Sequence, residues 1–200
     1  LRWLETAEQA KPILAEAAMV TVVDDRESDI YAKWARVPGP HFHLLSRAKK
    51  DRRLGDGGML YAAAAGFALA GQRDIELRPG NVGQAGRTAR LELRYGTVTI
   101  RRPERAEADL PKTLDLRVIE VREMGAPPGI EPLCWRLLTT HTIADAAAAW
   151  EWKVSEETWS VDTGGETDAL YARLMSFLIG GLRAPLPETS AKKKPQRKAA

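Results

Sequence analysis

The chain has 200 residues, of which 44% are hydrophobic and 28% charged, the balance of a folded domain rather than a disordered segment. No apolar run reaches the ~20 residues that a membrane-spanning helix needs, and the first residues lack the pattern of a signal peptide. A single cysteine, Cys134, and three histidines without zinc-type spacing exclude a disulfide framework and a zinc finger. We therefore expect a cytoplasmic protein of one domain, or of one domain with an insertion.

Positive charge is concentrated in two short segments. The formal net charge is +3, but five positive charges and no negative one lie in the last ten residues, so the rest of the chain is net negative. We expect this basic tail, residues 186–200, to be disordered. The second segment is internal, with one acid among five basic residues: Arg47, Lys49, Lys50, Arg52 and Arg53. Such clusters suit contacts with nucleic-acid phosphates, although they also occur as solvated surface.

The first part of the chain predicts alternating helices and strands. Residues 1–18 have apolar positions at helical spacing, with Pro12 dividing two short helices. A β-branched run predicts a buried strand over residues 19–23, and Ser28 is expected to cap the helix that follows. A second strand is predicted over residues 42–45. Strand, helix and strand in this order indicate a unit of a mixed or parallel sheet.

The middle of the chain predicts one more helix and then antiparallel strands. The Ala-rich residues 59–70 predict a buried helix. Several segments between residues 73 and 125 alternate apolar with charged side chains, the period of strands with one solvated face. The sequence Tyr95-Gly96-Thr97 predicts a hairpin turn between two of them. Residues 133–140 predict a buried strand, and Thr142 is expected to cap the next helix.

The predicted strand over residues 19–23 is followed at once by four acids: Asp24, Asp25, Glu27 and Asp29. Open α/β folds bind ligands at the carboxyl ends of their strands, and carboxylates there can hold divalent metal ions for phosphodiester chemistry. The same acids could also form a solvated turn and the beginning of a helix, where the helix dipole favours negative charge.

Residues 25–30, with the sequence Asp-Arg-Glu-Ser-Asp-Ile, resemble the segment around the second catalytic aspartate of bacterial DDE transposases. The group is the one that contains transposon five and insertion sequence four. Residues 43–48 resemble the family's next strand with its basic loop, and residues 131–150 resemble the return to the core after an insertion. The likeness covers roughly residues 1–150.

The resemblance implies an α/β fold, in which a partial RNase H-like core is interrupted by an antiparallel β-strand insertion. The implied division of the chain is a first part of the catalytic core (1–72), a β-rich insertion (73–130), the return to the core (131–185) and the basic tail (186–200). Within the third part, the apolar pattern of residues 168–180 predicts a final helix. The implied partner is double-stranded DNA at transposon ends, bound by a possible homodimer in the bacterial nucleoid.

The resemblance also implies roles for single residues. Asp25 would bind Mg²⁺ or Mn²⁺ for DNA cleavage and strand transfer, Arg26 would contact DNA, and Glu27 would orient its neighbours. Trp135 matches a tryptophan that stacks on an unpaired base, for which an aromatic ring is chemically apt. Packing in the core is an equally good reading of Trp135, because its neighbours are apolar.

The family's third acid belongs to a Tyr, Arg and Glu signature on a helix. Trp150, Lys153 and Glu157 have the same spacing, which would make Glu157 a second catalytic metal ligand and Lys153 a DNA contact. Counting forward from Trp135 instead places the signature after Trp150 and would make Glu157 a coincidence. The family's first aspartate would lie upstream of residue 1.

We therefore expect a truncated transposase, inactive as this chain. The alternatives are a non-catalytic DNA-binding remnant, an RNase H-like nuclease, and a β-rich module without a nucleic-acid role. They differ in whether the chain binds DNA and whether it needs metal ions.

Overall fold

A computed structural model describes residues 2–77 and 86–150. The elements in chain order are α1 (Arg2–Ile13), β1 (Val20–Asp24), a 3₁₀ turn (Arg26–Ser28), α2 (Tyr31–Arg36), β2 (Phe42–Arg47), α3 (Leu60–Gly66), β3 (Leu69–Leu77), β4 (Arg87–Arg101), β5 (Thr113–Met124) and β6 (Cys134–Thr139). Residues 146–150 are also helical. The predicted α/β class is confirmed as a mixed α/β fold, while the helix predicted over residues 168–180 and the basic tail lie outside the described residues.

The six strands form one sheet in the order β1-β2-β6-β5-β4-β3. β1 and β2 are parallel, and every other neighbouring pair is antiparallel. Because β5 pairs with both β4 and β6, the antiparallel strands continue the same sheet as β1 and β2. β3 begins at Leu69, before residue 73, where the sequence predicted the insertion to begin.

Each face of the sheet carries its own apolar core. On the first face, alternate side chains of the strands pack with residues of α1, α2 and α3; Val22, Leu44, Val118 and Leu138 belong to this core. The second face is formed by the intervening strand residues, which pack with the segment that follows β6; Leu45, Leu91, Ile119, Leu137 and Trp150 belong to this core. Alternation along the strands therefore decides which face each side chain enters.

Two helix predictions are corrected by the structure. Pro12 does not divide two helices, because it lies in the last turn of α1, where it disturbs only the end of one helix. The Ala-rich segment is a shorter helix than predicted, since it ends at Gly66, and only Leu60 and Ala64 in it are buried. None of the helices within residues 2–77 and 86–150 has the length and apolar composition of a membrane-spanning segment.

Both predicted helix caps are wrong. Ser28 does not cap α2, which follows Ile30 without a side-chain cap, because the Ser28 hydroxyl accepts a hydrogen bond from Lys33 instead. Thr142 does not cap the helix after β6. Asp145 lies immediately before the first residue of this helix, and the Oδ1 atom of Asp145 accepts the backbone N–H of Ala148 at 2.9 Å.

Gly96 does not form the predicted hairpin turn. β4 passes through it without interruption, and Gly96 pairs with Val118 of β5. The ring of Phe67 lies directly over this glycine, because a Cβ atom there would stand 2.2 Å from Phe67 Cε1. The glycine therefore leaves room for the Phe67 ring on the first face, and the chain does not change direction there.

Candidate functional site

Asp24, the last residue of β1, points into the first face and is 3% exposed. Its carboxylate forms an ion pair with the ammonium of Lys33 on α2, which also donates to Ser28 Oγ at 2.6 Å. Burial raises the pKa of Asp24 and lowers the pKa of Lys33, so each charge is held against a desolvation cost. Sequence reasoning missed Lys33, although a lysine between the apolar Tyr31 and Trp34 of a helix was a signal.

Asp25 follows at the carboxyl end of the same strand and is half-buried. Its Oδ1 accepts the backbone N–H of Glu27 at 2.8 Å, which begins the 3₁₀ turn, and its backbone carbonyl accepts Ser46 Oγ at 3.0 Å. Arg26 and Glu27 are exposed. Asp25 therefore lies beside the ends of both parallel strands, in the position that open α/β sheets use for ligands.

Asp29 connects this turn to the basic loop of residues 47–53. Its fully buried carboxylate accepts Arg52 Nε at 3.1 Å, Arg52 Nη2 at 2.6 Å, the backbone N–H of Lys49 at 2.9 Å and Trp34 Nε1 at 3.2 Å. The Arg52 side chain is only 9% exposed, so it holds the loop in place where the sequence had suggested a phosphate contact. Sequence reasoning did not assign Asp29 this function.

The remaining cations of the loop lie at the surface. Lys49, Lys50 and Arg53 are exposed, and Arg47 at the end of β2 is half-buried. Lys49 Nζ lies 2.9 Å from Glu27 Oε1, and this hydrogen bond lowers the pKa of Glu27. Such an exposed ion pair contributes little to stability and can be exchanged for other partners.

Trp135 is the second residue of β6, which runs antiparallel to β2 and so begins at the end of the sheet where β2 finishes. The loop after β2 is hydrogen-bonded there, since the N–H of Ala48 donates to the carbonyl of Arg136 at 2.8 Å. Trp135 is half-buried and packs against the core of the second face. Asp24 points into the first face, so the two side chains lie on opposite sides of the sheet.

Trp150, the first residue of the Trp150, Lys153 and Glu157 pattern, packs against β3. The guanidinium of Arg73 lies 4.8 Å from its ring. β3 is five strands from β1, or about 24 Å at the usual spacing of neighbouring strands. Lys153 and Glu157 lie outside the described residues and their roles stay predictions. Binding of one ion by both Glu157 and Asp25 requires the chain after Trp150 to return across the sheet.

The described residues can supply one carboxylate for a divalent metal ion. They contain no group of three or more His, Cys, Asp or Glu side chains placed to hold a metal. Among the acids at the end of β1 and in the turn that follows, Asp24, Glu27 and Asp29 form ion pairs with Lys33, Lys49 and Arg52, respectively. Asp25 forms no ion pair within residues 2–77 and 86–150. Because Mg²⁺ accepts one or two protein carboxylates and keeps several waters, Asp25 fits a single ligand position but not a complete two-metal site.

Comparison with protein-family models and with curated proteins gives no match. The resemblance to DDE transposases therefore rests on the residues of this chain alone, above all on the segment Asp25-Arg26-Glu27 and the segment around Trp135.

Proposed function

We propose that the chain is part of the RNase H-like catalytic core of a DNA transposase and binds duplex DNA beside the carboxyl end of β1. The observation that carries this proposal is the hydrogen bonding of Asp29, which holds the basic loop 47–53 against the turn that bears Asp25. A carboxylate suited to a divalent ion and cations suited to phosphates therefore lie side by side.

The order of the strands supports the same proposal. β1, α2 and β2 form a parallel strand–helix–strand unit. β6 pairs with β2, although β3, β4 and β5 lie between these two strands in the sequence. An antiparallel insertion between two core strands is what the resemblance implies for this part of the chain. In such a core, bound Mg²⁺ or Mn²⁺ ions activate the attacking oxygen and stabilise the leaving oxygen. Asp25 would hold one ion, and Arg26 and Lys49 would bind phosphate oxygens.

The basic loop gives the first test of this proposal. We expect the double variant Lys49→Gln/Lys50→Gln to bind a duplex of about 20 base pairs about tenfold more weakly, and the slope of log K against log salt to fall by about 2. Each substitution removes one exposed positive charge. In the unaltered chain, that charge releases counterions from the DNA when it contacts a phosphate. Fluorescence anisotropy of labelled DNA over a range of salt concentrations measures both quantities.

The matched control is Arg105→Gln/Lys112→Gln, which removes two exposed charges from the connection between β4 and β5. An equal loss of affinity in the control would contradict a role of the loop. Failure of the unaltered chain to bind DNA even at low salt would reject the proposed function and favour a β-rich module without a nucleic-acid role.

The metal ligand gives a second, independent test. We expect Mn²⁺ to broaden the amide NMR signals of residues 25–27, and this broadening to disappear in Asp25→Asn. The control is Asp56→Asn. Asp56 accepts the backbone N–H of Gly58 at 2.8 Å, which is the same bond, two residues along the chain, that Asp25 forms with Glu27. Asparagine preserves this hydrogen bond in both variants, so a difference between them reports the lost charge. Equal broadening in wild type and Asp25→Asn would reject the metal site.

A non-catalytic DNA-binding remnant is the second candidate. It is favoured by the single available carboxylate, because one aspartate among the described residues cannot hold two ions. For a remnant, Asp25→Ala would leave DNA affinity unchanged with or without Mg²⁺. Divalent-dependent nicking of duplex DNA that is lost in Asp25→Ala would exclude the remnant, and would also overturn the expectation that this chain is inactive.

A further inference from the structure

The outer edge of β4, on the side away from β5, is open over part of its length. β3 pairs with the first part of this edge as far as Arg94. Farther along, the N–H of Gly55 donates to the carbonyl of Thr99 at 2.8 Å, and the N–H of Arg101 donates to the carbonyl of Arg53 at 2.9 Å. Among the described residues, none pairs as a strand with the edge between Arg94 and Thr99, over a length of about 17 Å.

Thr97 and Thr99 direct backbone groups towards this open edge. Peptide groups along an antiparallel strand point alternately to its two sides. The N–H of Arg102 donates to the carbonyl of Lys112 at 2.8 Å, towards β5, whereas Arg101 and Thr99 bond on the opposite side to the loop before α3. Alternation therefore places the N–H and carbonyl of Thr97, and the N–H of Thr99, on the open edge. These three groups form no hydrogen bond with any residue that the structure describes.

A cavity of about 720 Å³ lies against this part of the edge, and we refer to it as the edge cavity. Thr97 and Thr99 line it and are exposed, so a ligand in the cavity can reach the edge. Asp56 adds one carboxylate, and four apolar side chains line the cavity as well: Leu54, Ala63, Phe67 and Val98. A volume of about 300–1,000 Å³, with apolar walls and a few polar groups, is typical of small-molecule sites.

The backbone groups on the edge select the chemistry of a ligand. The carbonyl of Thr97 can accept a hydrogen bond and the neighbouring N–H of Thr99 can donate one, so a matching ligand carries a donor beside an acceptor. Both groups lie close to the plane of the sheet, which suits a flat molecule with apolar faces. The half-buried ring of Phe67 gives such a face an aromatic neighbour.

An extended peptide is a poorer match for the edge cavity. Such a peptide would add to β4 as a further strand. The line of that strand is already occupied by Gly55 at one end and by Leu69, the first residue of β3, at the other. A peptide would therefore meet this chain after about 17 Å, whereas a compact molecule fits between the two ends.

We propose that the edge cavity binds a small planar heterocycle that carries a hydrogen-bond donor beside an acceptor, in the manner of an amino-substituted purine. The donor bonds to the carbonyl of Thr97, the acceptor receives the N–H of Thr99, and the ring packs against Phe67. β4 is four strands from β1, or about 19 Å. The edge cavity is therefore separate from Asp25, and this inference does not depend on the proposed function.

The first test follows the amide NMR signals of Thr97 and Thr99 during titration with 9-methyladenine, which has an amino donor beside a ring acceptor. We expect saturable shifts with a Kd of about 1 mM or below. 9-Methylpurine keeps the ring and its acceptor but lacks the amino group, so it should bind about tenfold more weakly. Equal affinity for the two compounds would overturn the assignment of the Thr97 carbonyl as a partner.

The second test fills the edge cavity. Gly66, the last residue of α3, lines the cavity, has no positive φ, and would carry a Cβ atom without any neighbour within 4 Å. Gly66→Leu should therefore fold and bind 9-methyladenine at least about tenfold more weakly. The matched control is Gly39→Leu, because Gly39 has the same free space but does not line the cavity. It should keep the wild-type affinity, and thermal unfolding checks that both variants are folded.

Three outcomes would reject this inference. The first is the absence of shifts at Thr97 and Thr99 up to about 10 mM 9-methyladenine. The second is unchanged affinity in a folded Gly66→Leu variant. The third is that a short peptide of alternating valine and threonine shifts these signals while 9-methyladenine does not, since the edge would then pair with a polypeptide. Failure of the chain to bind DNA would reject the proposed function and leave this inference standing.

Discussion

Replacing Lys33 by methionine is expected to lower the free energy of unfolding by about 3–5 kcal/mol. The ammonium of Lys33 is the cation paired with Asp24, and both side chains are 2% exposed. Methionine fills a similar volume but leaves a carboxylate in the core without a counter-charge. Urea unfolding at pH 7, followed by tryptophan fluorescence, measures the loss.

The pH dependence distinguishes a charge effect from poor packing. Burial already raises the pKa of Asp24 above its ordinary value of 3.8, and loss of Lys33 raises it further. A carboxyl group with a raised pKa destabilises the fold above its unfolded pKa, and this cost disappears as the pH falls and the group becomes protonated. The difference between Lys33→Met and wild type should therefore shrink towards pH 4.

Two further variants complete the test of the buried pair. Asp24→Asn/Lys33→Met should recover most of the lost stability, since replacing both charges of a buried pair is often neutral. Lys112→Met, at an exposed position, should change stability by less than about 0.5 kcal/mol. A double variant as unstable as Lys33→Met would show that the uncompensated charge is not the cause. The pair also matters to the candidate site, because it fixes the end of β1 immediately before Asp25.

Acidification from pH 7 towards pH 4 is expected to cost about 3 kcal/mol of stability through His141. This side chain is 6% exposed, stacks on His43 with ring centroids 4.0 Å apart, and shares a hydrogen bond of 2.8 Å with Thr21 Oγ1. Burial, and secondarily the neighbouring His43, lowers the pKa of His141 from 6.5 to about 4.

The sign follows from proton binding. Between pH 6.5 and about 4 the unfolded chain binds a proton at His141 and the folded chain does not, so lowering the pH favours unfolding. Burial also lowers the pKa of His43, which adds a contribution of the same sign. Below about pH 4 both states are protonated and the contribution of His141 no longer changes.

Urea unfolding at several pH values between 7 and 4 measures this effect. In His141→Gln the stability should fall less steeply with decreasing pH than in wild type, since glutamine does not titrate and can still bond to Thr21. The control is His41→Gln at an exposed position, which should change the free energy of unfolding at pH 7 by less than about 0.5 kcal/mol. Parallel curves for wild type and His141→Gln would contradict the prediction.

Local patterns in the sequence were enough to predict most of the strands. The short β-branched run before Asp24 became β1, residues 42–45 lie within β2, and the apolar run around Leu137 became β6. Each depends on side chains that are buried as soon as any sheet forms, so a window of a few residues carries the information. The acids after β1 could be recognised for the same reason, because the strand ends where they begin.

The pairing of the strands, and with it the roles of the charged residues, was decided only by the tertiary structure. Arg52 looks like its neighbours Lys50 and Arg53 in the sequence, and only the fold brings it to Asp29. Gly96 looks like a turn residue until Phe67 is seen to lie over it. These outcomes depend on contacts between residues distant along the chain, which local propensity does not encode.

The sequence by itself therefore determined a mixed α/β chain in which acids follow a buried strand. The tertiary structure decided which of those acids carry buried counter-charges. Asp24 and Asp29 are paired with Lys33 and Arg52, whereas Asp25 forms no ion pair within the described residues. The physical reason is desolvation, because a buried carboxylate requires a cation that only the packed neighbours can supply, while a partly solvated one does not.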